Sequence, residues 1–140
     1  MPQDNNTLRV LLPRKLIDGV GDKAQEGMAV AVQGNTIRWV GPASEAESLD
    51  SNGAHRETLE FPGSTLLAGM FDIHTHTNMP GDGRTGEQVN DDDNDEVRLL
   101  RSARNATAAV ASGITTMCDC GSWNRNGFAL KEGLAEGIVE

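Results

Sequence analysis

Apolar positions in the first sixty residues come in short runs with a period near two, separated by turn residues. Residues 7–12 (Thr-Leu-Arg-Val-Leu-Leu) read as a strand that Pro13 should end, because proline cannot donate to a ladder. Asp18-Gly19 and Gly21-Asp22 are turn chemistry. Residues 28–32 and 36–40 flank Gln33-Gly34-Asn35, a hairpin pattern whose Gly and Asn both accept positive φ, and Gly41-Pro42 closes it. Residues 43–52 are polar with room for one short helical turn. Residues 57–61 read as a further strand, ended by Pro62-Gly63. So few strands make a small β-unit that cannot seal a core alone.

The pattern then changes. Residues 65–67 and 70–75 form an apolar approach to His74 and His76. Residues 77–95 are rich in glycine and acid, with Arg84 the one basic side chain, and they read as a long functional loop. Arg84 could meet a substrate carboxylate, but a solvated arginine is the stronger reading. Asp91, Asp92, Asp93, Asp95 and Glu96 could pass for a metal cluster. Carboxylates at a helix start are better explained as caps on free N–H groups.

That helix is expected from Asp95 to Ser112, its apolar stripe formed by Val97, Leu100, Ala103, Ala106/Thr107 and Val110, with Gly113 at its C-terminal end. Residues 114–118 read as a buried strand leading into the loop Asp119-Cys120-Gly121-Ser122. A second helix is expected over residues 128–136, capped by Asn126 and stopped by Gly137. Strand, loop, helix, strand, loop, helix is the alternation of a parallel α/β sheet or barrel.

Composition narrows the class. Of 140 residues, 37% are hydrophobic and 24% charged, ordinary globular values that exclude a wholly disordered or fibrous chain. No window approaches the roughly 18 uncharged apolar residues of a membrane span. The formal net charge of −9 and the absence of a basic run argue against nucleic acid and anionic membranes as partners. The polar start Met-Pro-Gln-Asp-Asn-Asn lacks the order of a secretion signal. Cys118 and Cys120 point to one side of a strand and are too close to staple a domain. A Cys-x-Cys metal site is conceivable, but no second pair completes a thiolate cage, so buried, inert thiols in the cytoplasm are expected.

The chemistry converges on Asp72-Ile73-His74-Thr75-His76. On a strand Asp72, His74 and His76 share a face, and two neutral imidazoles there can close on one divalent ion. They fall at the strand's carboxyl end, where parallel α/β folds collect ligands. His55 is remote in sequence. Asp119 ends the next strand, where its carboxylate either accepts a ring N–H and fixes a histidine tautomer or caps its own turn through Asx chemistry. Asp72 is best read as satisfied locally.

A resemblance enters with these residues. Leu66-Leu67-Ala68-Gly69-Met70-Phe71-Asp72-Ile73-His74-Thr75-His76 resembles the first barrel strand of the metal-dependent amidohydrolases, approximately L-x-P-G-L-I-D-x-H-x-H. Ala68 stands where proline is usual. Gly113-Ile114-Thr115-Thr116-Met117-Cys118-Asp119 resembles the second strand of imidazolonepropionase-like and prolidase-like members, G-x-T-T-x-x-D. Leu16-Ile17-Asp18-Gly19, residues 28–32 and residues 37–41 are similar to the small β-domain that precedes the barrel. The resemblance implies residues 1–64 as part of a β-sandwich and 65–140 as the first two βα units of a (β/α)₈ barrel.

It also implies a reaction: hydrolysis of a C–N bond in an amide, cyclic amide or dipeptide by metal-activated water. His74 and His76 would bind the metal, expected to be zinc with iron, manganese or nickel as substitutes, and one or two ions in the complete enzyme. In binuclear relatives a carboxylated lysine, two later histidines and an aspartate complete the site. None can be assigned here: no histidine follows His76, and Lys131, the one later lysine, falls in a helix. A barrel takes about 250 residues, so the chain is expected to be truncated or one piece of a longer enzyme, inactive alone. The expected partners are a small-molecule substrate and, for the complete enzyme, further copies of itself. The competing expectation is a non-catalytic remnant or assembly module that needs a partner chain to cover its strand edges.

Overall fold

The computed structural model describes residues 6–139, and the chain divides between Ala68 and Gly69 into two units. In the first, β1 (Thr7–Ile17) organises a five-stranded sheet. One edge of β1 takes β3 (Met28–Gln33) and then the short β2 (Gln25–Glu26), both antiparallel; the other takes β5 (His55–Leu67), parallel. β4 (Thr36–Pro42) pairs outside β3.

Pro13 does not end β1. It falls after the last pairing with β3, at Leu11, and before the first with β2, at Lys15, so the missing N–H sits where the antiparallel partner changes. Nor do Pro62-Gly63 end β5. The ladder passes from Pro13↔Phe61 to Lys15↔Thr65, which takes up Pro62-Gly63-Ser64 as a bulge opposite Arg14. Thr65, Leu66 and Leu67, expected to open the second segment, therefore lie in the first unit's sheet against Lys15, Leu16 and Ile17.

The hairpin between β3 and β4 turns through Gly34-Asn35, with Gln33 opposite Thr36. Gly34 alone takes the positive φ (58°), the sign pattern of a turn with glycine first. The main buried cluster lies on one face of this sheet. Leu8 and Val10 alternate along β1, Ala29 and Ala31 along β3, and Leu12, Trp39, Ala43 and Leu49 pack against them. The 3₁₀ helix Ala43–Ser48 adds Ala46 to this face, while Val30, on the other face of β3, is buried as well.

The second unit holds β6 (Met70–Thr75), α1 (Gly86–Asp92), α2 (Asp95–Ala111), β7 (Ile114–Asp119) and α3 (Asn126–Ala135). β6 and β7 form a two-stranded parallel sheet joined by a helical crossover; it is open, not a closed barrel. Gly69 leads into β6 because a Cβ there would overlap Thr115 on β7.

The segment expected as a long loop contains α1, started by a capping box in which Thr85 Oγ1 accepts from Gln88 N–H and Gln88 returns the bond. The cap of α2 is Asn94, whose Oδ1 accepts from Val97 N–H, with Asp95 and Glu96 in the first turn. Asp91 and Asp92 belong to α1 instead, and Asp93 ends it. α3 begins at Asn126 itself; Arg125 holds the cap position without a side-chain bond. Of the α2 stripe expected to be buried, Ala106 is buried and Ala103 half-buried, but the larger side chains are not. Val97, Leu100 and Val110 face solvent, and the buried stripe is Arg98, Ser102 and Ala106.

Candidate metal centre

Register places the site. Thr75 pairs with Asp119, so the carboxyl ends of β6 and β7 lie side by side. His74 is the penultimate residue of β6 and His76 follows its end. Their rings stand 5.4 Å apart between centroids, edge to face at 72°, and both are exposed. Asp72, half-buried, accepts the His74 backbone N–H through Oδ1 at 3.2 Å, a local bond that stiffens the strand end.

His76 has a defined partner. Its Nδ1 lies 3.2 Å from the Gly121 carbonyl. A carbonyl only accepts, so Nδ1 carries the proton and the Nε2 lone pair is left as a metal donor. A Cβ on Gly121 would lie 3.2 Å from Cε1 and Nδ1 of the ring, a tight contact to which the ring would have to yield by a few tenths of an ångström.

Asp119 holds Gly121 in place. Oδ1 accepts the Gly121 N–H at 3.1 Å, and Oδ2 accepts from Thr77 Oγ1 at 2.6 Å and from the Ser122 hydroxyl. Of the two readings open for this residue the structure builds the turn, with no bond from its carboxylate to either imidazole. Burial pushes the Asp119 carboxyl up, but the bonds from Ser122, Thr77 and Gly121 outweigh it and hold the group below its ordinary range.

The segment after His76 is fastened by α2. Asn105 Nδ2 donates to the carbonyls of Thr77 (2.7 Å) and Met79 (2.9 Å), and Arg101 donates to that of Asn78 (3.1 Å). Arg101 also pairs with Asp93 at 2.7 Å, and Arg84 reaches Asp82, Asp92 and Asp93. Arg84, with a partly exposed side chain, is thus engaged by three carboxylates of its own segment. Arg101 and then Arg84 hold the Asp93 carboxyl below its usual range, with burial opposing them.

Thr77, Asn105, Arg101 and Gly121 are not apparent as site residues from the apolar pattern. Arg101 and Asn105 have a signal in the polar stripe Arg98, Arg101, Ser102, Asn105, which repeats at helical spacing just as the apolar one does, whereas Thr77 and Gly121 have none. His55 opens β5 in the first unit, its backbone N–H on the Asn6 carbonyl. Lys131 lies in α3, beside Asp119 and Gly121 in an open cleft of about 440 Å³. Cys118 and Cys120, expected to be buried, are both exposed.

The two imidazoles offer neutral nitrogen donors suited to zinc and similar ions, one with its tautomer fixed. They supply two ligands of the four that zinc takes. Among the described residues no group of three or more His, Cys, Asp and Glu comes together.

No family profile matches the chain. Over 62 residues, 44% of its length, it is 40% identical to an imidazolonepropionase of Acidiphilium cryptum, 14% of which is covered. In fold, 95% of the chain superposes on a Xaa-Pro dipeptidase with methionine bound in its active site (TM-score 0.77, 21% identity, 31% of that chain). Another 95% match is a solved amidohydrolase (TM-score 0.69, 22% identity, 29% of that chain). An adenosine deaminase of Xanthomonas campestris with bound zinc matches over 94% (TM-score 0.61, 19% identity, 32% of that chain). The chain thus spans less than a third of each of these proteins. Its fold is that of the corresponding part of these amidohydrolase-type hydrolases, and 44% of it is similar in sequence to imidazolonepropionase.

Proposed function

We propose that the chain forms the N-terminal part of a metal-dependent hydrolase of C–N bonds, acting on an amide, cyclic amide or dipeptide. The observation that carries this is the His74–His76 pair at the carboxyl end of β6, with the His76 Nδ1 proton held by Gly121. The second unit is read as the first two βα units of a (β/α)₈ barrel, and the first unit as part of the smaller β-domain that precedes it in the chain.

His74 and His76 would hold the ion, zinc before iron, manganese or nickel. The chemistry such an ion supplies is a water acidified toward neutrality and a polarised substrate carbonyl. This chain's own part is orientation. Asp72 steadies the backbone at His74; Asp119, through Gly121, keeps the His76 ring turned with Nε2 outward; Asn105 and Arg101 fix the segment that follows. The remaining ligands and the proton-moving group belong to a longer enzyme, cytoplasmic and self-associating, with a small-molecule substrate.

The test is a Co(II) titration of the 140-residue chain followed by absorption. One weakly held ion is expected, and it should be lost in His74→Ala and in His76→Ala. Unchanged uptake in the double variant overturns the metal assignment. Hydrolysis of N-acyl amino acids, cyclic amides or Xaa-Pro dipeptides by the chain alone, surviving both substitutions, overturns the reading of a histidine-held metal as the source of the activity.

A second reading has its own observation. Phe71 (70% exposed) and Ile73 (79%) stand uncovered on β6, as does Leu100 (72%) on α2. Apolar surface beside open strand edges suits an assembly module that docks on a partner chain. A monodisperse 140-residue monomer with a protected second unit would count against it.

A further inference from the structure

Beside the imidazole pair, two thiols occupy the end of β7. Cys118 and Cys120 are both exposed, and their sulfurs lie 3.9 Å apart. Cys118 lies on β7 and Cys120 one residue past its end, two positions apart in the chain. Cys120 is kept in line by its backbone N–H, which donates to the Thr75 carbonyl at 2.9 Å.

The surroundings suit a cation. Cys120 Sγ also meets the carbonyl oxygens of Cys118 (3.6 Å) and Ile73 (3.8 Å), so two sulfurs and two carbonyl dipoles present negative charge to one small region. Burial, the neighbouring Cys118 and the charge of Asp119 push the Cys120 thiol up. A bare thiolate pair is disfavoured there, and a bound positive ion relieves the repulsion.

We propose that Cys118 and Cys120 form a two-thiolate clasp for a soft monovalent metal ion, Cu(I). Thiolate is the ligand that selects Cu(I). No cluster of three or more His, Cys, Asp and Glu forms among the described residues, so the four-ligand shell of structural zinc is not built around these sulfurs. Two sulfurs are enough for a two-coordinate ion. On binding, both S–H bonds give way to S–Cu bonds and two protons pass to solvent; the copper enters and stays as Cu(I), so nothing is oxidised or reduced. The site is separate from the imidazole pair and independent of the hydrolase reading.

The experiment is anaerobic competition for Cu(I) between the chain and bicinchoninate, read by the colour of the chelator complex, with circular dichroism to confirm folding. The wild type should withdraw one Cu(I) per chain. Cys118→Ser and Cys120→Ser should each weaken retention by about 100-fold or more, because the second thiolate acts at high effective concentration. His74→Ala/His76→Ala should retain copper as the wild type does. Three results each overturn the clasp: a single-cysteine variant that holds Cu(I) like the wild type, two ions per chain, or loss of the ion in the double histidine variant.

Discussion

Gly121 reaches His76 through its carbonyl and is itself held by Asp119, so the orientation of the ring depends on a carboxylate that never touches it. Gly121→Ala keeps that carbonyl but sets a methyl 3.2 Å from the ring, and Asp119→Ala removes the acceptor that fixes the turn. Each should lower Co(II) affinity by about 10- to 100-fold, the usual effect of losing a group that orients a ligand; unchanged titrations would remove the relay from the argument. Asp119 also sets a pH dependence. Its carboxyl is depressed on folding, so its stabilisation is full above the ordinary carboxylate range, about pH 4, and is lost as pH falls through the lowered value. Urea midpoints between pH 7 and 3 should show an acid limb that Asp119→Ala flattens in part. His74 and His76 were legible because chemistry and strand period agree on them. Gly121 was not, since a backbone carbonyl has no letter in the sequence.

The helix α2 shows why amphipathicity can mislead. Two stripes run along it, one apolar through Val97, Leu100 and Val110, one polar through Arg98, Arg101, Ser102 and Asn105, and the structure buries the polar one against the segment after β6. Existence and extent of the helix could be read from periodicity; which face turns inward could not, because backbone carbonyls at Thr77, Asn78 and Met79 needed donors more than Leu100 needed cover. Asn105→Ala strands two of those carbonyls and should cost about 1–3 kcal/mol in urea unfolding of the second unit. Leu100→Ser should stay within about 0.5 kcal/mol. Equal effects would reverse this account of the helix. At the start of β6, Gly69→Ala should destabilise the same unit, with Thr115→Ala restoring part of the loss by vacating the overlapped space. Thermal melts of the two single variants and the double variant would show the coupling.

Across the whole chain the apolar interior is unevenly shared. The buried hydrophobics of the first unit are Leu8, Val10, Leu16, Ala29, Val30, Ala31 and Ala46; those of the second, among the described residues, are Val89, Ala106 and Leu130. Hydrogen exchange should therefore be slowest in β1 and β3 and faster throughout β6 and β7, as local stability follows buried apolar packing. Equal protection in both sheets would show that the second unit is stabilised by something other than its own core. The two-residue β2 and the short α1 were not readable; the order of the longer elements was, from turn residues and alternating periods, down to the Gly34-Asn35 hairpin. Their continuity was not, since Pro13 and Pro62-Gly63 look like stops and are absorbed by a change of partner and a bulge.

Pro13 has a consequence for alignment. The smallest slide of β1 that keeps Leu8 and Val10 on the covered face is two residues. In one direction that slide carries Pro13 to the place Leu11 holds opposite Val30; in the other, to the place Lys15 holds opposite Glu26. Both places lie within an antiparallel ladder, where a residue without an N–H is unwelcome. The proline thus acts as an indexing notch, leaving the longest-paired strand of the first unit one position in which to settle.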